Sequence, residues 1–189
     1  MKGRPGEGAG CVPPQAGGRA SLWWLLALPF YQLLGTLRHE GSHAVAAIAA
    51  GGRVHTLAFW PTYTAGGGWR WGYVQWTGAG GWPIVAAPYL CDLATYALAF
   101  VLWQAWPKAP RWVQLNLLII GLVSPLVDTL YNYAGALWGR NDVAYLLHTL
   151  PPVGIHAGFL GAIMLYLVGL WLIARRAGLT KWRAPAPNG

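Results

Sequence analysis

Arg38-His39-Glu40-Gly41-Ser42-His43 stands in the middle of a long apolar run over residues 21–50, and its reading decides how the rest of the chain is arranged. Residues four apart share a helix face, so His39 and His43 can point at one metal ion, with Glu40 beside them to handle a proton. On a solvated helix such a group would mean little. Inside a bilayer each ionisable side chain costs roughly 2.5 kcal/mol or more, so several on one apolar helix need a partner, and a divalent cation is the obvious one. The plain alternative is a histidine pair satisfied by neighbouring hydrogen bonds.

Working outward, the composition is that of a membrane protein. Hydrophobic residues make up 56% of the 189 and charged residues 10%, too apolar and too charge-poor for an ordinary soluble domain. The length allows one compact domain of a few spans, with no room for a separate soluble module. The net charge is +8, but the basic residues flank apolar segments rather than forming an aromatic-interleaved patch, which points to an anionic leaflet and away from nucleic acid. Cys11 and Cys91 fall in a polar tail and in an expected span, so no disulfide framework is expected. The first apolar segment runs into Arg38-His39-Glu40 rather than a small-residue cleavage site, so it is expected to remain in the mature protein.

The pattern predicts an all-α membrane protein of about four transmembrane helices, with a short β-hairpin or re-entrant segment between the first and second. Residues 1–20, rich in Gly, Pro and Ala with Lys2, Arg4 and Arg19, read as a disordered basic tail. Residues 21–175 read as a single transmembrane domain and 176–189 as a second basic tail. A helix over residues 21–50 would be about 45 Å long, more than a hydrocarbon core of about 30 Å requires, so it must tilt, kink or protrude before Gly51-Gly52 ends it. Residues 54–60 and 71–76 alternate in part around Ala65-Gly66-Gly67-Gly68 and read as a hairpin that packs on the helices or lies at the interface. Further spans are expected over residues 80–104, 112–137 and 154–174, with a loop from Arg140-Asn141-Asp142 to Pro151-Pro152. With four spans, the Lys and Arg excess falls on the side of both termini. That makes the chain an integral, multi-pass protein, read as lying in a prokaryotic cytoplasmic membrane with both termini cytoplasmic.

His39-Glu40-Gly41-Ser42-His43 matches the His-Glu-x-x-His pattern of zinc hydrolases, in which Glu40 would be the general base. Catalytic zinc usually has three protein ligands. Asp128, buried in a span beside Pro125, is the preferred third ligand and Asp92 the runner-up. Ser124, Asp128 and Asn132 are spaced by four on one face, so Ser124 and Asn132 are candidates to orient Asp128 or to stabilise an oxyanion. His55, His148 and His156 read as loop or helix-end histidines with ordinary hydrogen bonds.

The histidine helix followed by Gly51-Gly52-Arg53-Val54, an aromatic hairpin, and a late span with Ser124-Pro125 and Asp128 resembles the site-2 protease family of intramembrane metalloproteases, its small M50B-type members above all. The resemblance covers roughly residues 33–132. It implies that His39, His43 and Asp128 bind Zn2+, that Glu40 activates water, and that residues 53–78 help present an extended substrate. The activity implied is hydrolysis of peptide bonds in transmembrane or juxtamembrane segments of a membrane-protein partner. Two positions depart from the family pattern: Ser42 precedes the second histidine where Gly is usual, and Ser124-Pro125 with Asp128-Thr129 replaces Asn-Pro with Asp-Gly. The competing expectation is a non-catalytic membrane subunit of a larger complex that keeps the fold and packs on partners through its 13 tryptophans.

Overall fold

The computed structural model describes residues 26–64, 68–139 and 141–176; the two expected tails, residues 21–25 of the first apolar run and most of the hairpin turn lie outside them. The order is α1 (Leu28–Ala49), β1 (Arg53–Ala58), β2 (Thr62–Thr64), β3 (Gly68–Arg70), β4 (Tyr73–Thr77), α2 (Trp82–Ala105), α3 (Arg111–Asn116), α4 (Ser124–Gly135), α5 (Asp142–Thr149) and α6 (Pro152–Arg176). A π-helical segment, Leu117–Val123, joins α3 to α4, so residues 111–138 form one continuous rod.

Three of these helical rods are long and apolar enough to cross a membrane: Trp82–Ala105, Arg111–Trp138 and Pro152–Arg176. Their outward faces are apolar, with Leu90, Leu98, Val101, Val127, Leu130, Leu160 and Leu165 exposed, which suits a lipid surround; the rod over residues 111–138 also carries Ser124, Asp128 and Asn132 along one face. α1 differs, because Arg38, His39, Glu40 and His43 interrupt it. Its inward face is Thr36, His39, His43, Ala44 and Ala47, a spacing of three and four that turns the histidines toward the other helices.

The core joins α2, the rod over residues 111–138 (the third rod counted from α1) and α6 through Tyr96, Ala99, Leu122, Leu126, Ile163 and Tyr166. Small residues set the spacing: a Cβ at Gly121 would collide with that of Ala99, and one at Gly169 with the Tyr96 hydroxyl. Close backbone approach is how membrane helices gain packing without a hydrophobic driving force between them. The Tyr96 hydroxyl donates to the Tyr166 carbonyl at 3.0 Å, so its polar end is satisfied.

The expected hairpin is present as two nested antiparallel pairs. β1 pairs with β4 from Arg53↔Thr77 to Ala58↔Tyr73, with a register shift at His55, and β2 pairs with β3. The outer pair lies on α1. Gly72 makes that possible, since a Cβ there would meet Thr36, the Ala58 carbonyl and the Glu40 side chain within 3.0 Å.

One expected loop is a helix. Asn141 accepts from the Ala144 amide at 3.0 Å and caps α5, and Val143 and Leu146 bury against Phe159 of α6. A capping side chain followed by apolar residues three apart is enough to hold a two-turn helix once α6 supplies a surface.

Candidate metal centre

His39 and His43 converge. Their ring centroids are 5.1 Å apart, and the Nε2 atoms lie 3.3 and 2.9 Å from one oxygen, Oδ2 of Asp142. His39, His43 and Asp142 each offer a ligand atom, all within 4.8 Å of one another, and form the one such group among the described residues. Asp142 reaches them from the first turn of α5.

The other ring nitrogens are tied down. His43 Nδ1 lies 2.8 Å from the Ile84 carbonyl and His39 Nδ1 lies 2.8 Å from Oδ2 of Asp128. A carbonyl only accepts, so His43 Nδ1 carries its proton and Nε2 presents a lone pair; His39 stands between two carboxylates, the nearer being Asp128 at Nδ1. Lone pairs facing a carboxylate oxygen repel unless positive charge lies between them. A proton on each ring or one shared cation supplies it, and the donor set of two imidazoles and a carboxylate suits zinc. Burial alone would raise the Asp142 carboxyl, but its contacts with His39 and His43 outweigh burial and hold it well below the usual carboxylate range. It is therefore an anion, the form a metal needs.

Asp128, expected as third ligand, thus meets His39 at Nδ1, on the far side of the ring from the convergence point, and the carboxylate at the two Nε2 atoms is that of Asp142. Asn132 donates to Oδ1 of Asp128 at 3.1 Å and to its carbonyl at 3.0 Å. The Asn132 carbonyl accepts from Asn141 at 2.5 Å, so one chain of hydrogen bonds links Asp128 to the cap that aims Asp142. Gly135 leaves room for Asn141, because a Cβ there would press on its amide.

Ser124 and Asp92 belong to a different cluster. Arg38 donates through Nε to Oδ1 of Asp92 at 2.6 Å, through Nη1 to the Ile120 carbonyl at 3.2 Å and through Nη2 to Ser124 Oγ at 3.2 Å. Asp92, the runner-up ligand, is fully buried there. The Ile120 carbonyl is free for a reason readable in the sequence. In a π-helical segment its donor would be the amide five residues on, which is Pro125 and has no N–H. Arg38 takes the place of the missing donor.

Glu40 sits within electrostatic reach of His39, His43, Asp142 and Asp128 and beneath Gly72 of the hairpin. Two aromatic neighbours were not foreseen. Trp76 of β4 stacks on His43 at 5.9 Å and 21°, and Tyr89 meets His39 edge-on at 5.8 Å, its hydroxyl buried without a partner among the described residues. No spacing rule points to either, since each reaches the site from another element. His55 bonds Thr77 at 2.7 Å and His156 bonds Tyr133 at 2.9 Å, outside the cluster, and His148 ends α5.

Against this geometry, no protein-family profile, curated protein or solved structure matches the chain.

Proposed function

We propose that the chain is a zinc-dependent, membrane-embedded endopeptidase of the site-2 protease type, cutting a transmembrane or juxtamembrane segment of another membrane protein. The observation that carries this reading is the aim of four ring nitrogens: both Nδ1 atoms engaged by acceptors, and both Nε2 atoms turned on one carboxylate. Metal-binding histidines are oriented in this way by their outer partners.

His39, His43 and Asp142 would hold the ion, which when bound supplies a Lewis acid and a water that ionises near neutral pH. Glu40 would take the proton of the water as its oxygen attacks the peptide carbon, then deliver it to the departing amine as the C–N bond breaks. The unpartnered Tyr89 hydroxyl is suited to donate to the oxygen that becomes negative in that step. The hairpin, with Gly72 over Glu40 and Trp76 over His43, would roof the site and exclude bulk water. In this reading α1 is a fourth span, and the termini share the cytoplasmic side by the excess of Lys and Arg there.

The reading is tested by elemental mass spectrometry on detergent-purified protein. About one zinc per chain is expected in the wild type, none in His43→Ala or Asp142→Ala. A wild type that stays metal-free after zinc loading and desalting would overturn it. The non-catalytic alternative is separated by Glu40→Gln, which should keep zinc and lose cleavage of a membrane substrate.

A further inference from the structure

At the other end of the bundle, about 30 Å along α2 from Ile84 at its 1.5 Å per residue, a cavity of about 210 Å³ opens between the end of α2, the start of α3 and the end of α6. Trp103, Gln104, Trp106, Gln114, Leu117 and Arg176 line it. At roughly 30 Å³ per liquid water it has room for about seven. Its polar groups are mostly donors. Arg176 gives one N–H to Gln104 Oε1 and has the rest of its fork to spare, and neither indole N–H of Trp103 and Trp106 has an acceptor among the described residues.

No described carboxylate balances this end. Glu40, Asp92, Asp128 and Asp142 all belong to the metal centre and the Arg38 cluster, whereas Lys108 lies in the connection from α2 to α3, Arg111 starts α3 and Arg175 lies over the Trp171 ring at 5.4 Å. The Arg176 fork, two indole N–H groups and the Gln104 amide nitrogen around a hollow at a helix-bundle end fit a phosphate-bearing anion; Gln114 gives its N–H groups to the Pro107 and Ala109 carbonyls.

We propose that this cavity is a binding site for a phosphate group, that of an anionic phospholipid in the leaflet that meets the ends of α2 and α6. Tryptophan rings at headgroup depth and a guanidinium at a helix end are the groups that hold such a lipid. The site is independent of the metal centre, and its test does not require the protein to be an enzyme.

The test is native mass spectrometry of the full-length protein released from nanodiscs containing phosphatidylglycerol and phosphatidylcholine, with a parallel titration by inorganic phosphate in detergent. The expected result is one phosphatidylglycerol adduct per chain, bound about fivefold or more weakly by Arg176→Gln and weakened again by Trp106→Phe, but unchanged by Arg175→Gln, whose charge lies on Trp171 outside the cavity. Binding of inorganic phosphate with the same dependence on Arg176 and no lipid preference would uphold the phosphate site and assign it to a free anion. Adducts equally weakened by Arg175→Gln, or unaffected by Arg176→Gln, would overturn the proposal.

Discussion

At the scale of single residues, Asp142 and Asp128 divide the work that one aspartate was expected to do. Asp142 faces both Nε2 atoms, and Asp128 holds His39 from behind. Their variants should therefore differ in degree. Asp142→Ala is expected to abolish zinc retention, while Asp128→Ala should weaken it about 10- to 100-fold, the usual cost of losing an outer partner of a histidine ligand; competition with a fluorescent chelator reads both. Tyr89→Phe removes only a hydroxyl that has no partner among the described residues, so folding and zinc content should hold while kcat falls about 10²- to 10³-fold, the usual loss on deleting an oxyanion donor. An unchanged kcat would remove Tyr89 from the mechanism.

At the scale of elements, what could be read in the sequence was what depends on local pattern. Apolar runs marked α2, the rod over residues 111–138 and α6, and glycine-punctuated alternation marked the hairpin. The histidine face of α1 follows from a spacing of four. The sequence pointed to Asp128 as third carboxylate, with Asp92 as runner-up, and read Asp142 as loop, because the approach of Asp142 to the histidines depends on how far α5 folds back. That in turn rests on Asn141, whose capping role is masked by its place among loop formers and realised only when Val143 and Leu146 find α6. Tyr89 and Trp76 were illegible for the same reason: their contacts join elements distant in the chain.

The hairpin offers a test at this scale. Gly72→Ala would force the start of β4 away from both β1 and α1, since the new Cβ would meet the Ala58 carbonyl of β1 at 2.8 Å and the Thr36 side chain of α1, and a backbone oxygen cannot swing aside. Zinc content should stay at the wild-type level and hydrolysis should fall, because the ligands lie on helices and Glu40 lies under the hairpin. Loss of zinc in Gly72→Ala would mean that the sheet supports the ligands themselves.

Across the whole molecule, the buried charge is concentrated where α1 crosses α2 and the third rod. Asp92→Ala would leave Arg38 without its carboxylate in a site where its side chain is 12% exposed, and removing one partner of such a pair costs about 3–5 kcal/mol. The midpoint of thermal unfolding in detergent should drop accordingly, and Asp92→Asn, which keeps an acceptor for Nε, should recover part of the loss. Equal midpoints for wild type and Asp92→Ala would show that the pair adds nothing. The widened turn at Leu117–Val123 carries one residue more than an α-helix would use over the same rise. Deleting Ile119 would let the segment close to α-helical pitch with Gln114 and Asp128 still in phase, and the carbonyl that Arg38 now takes would regain a helical donor. Zinc retention and membrane insertion should hold while the midpoint of thermal unfolding in detergent falls. The extra residue is slack let into the rod at the point where a largely buried guanidinium takes a backbone oxygen.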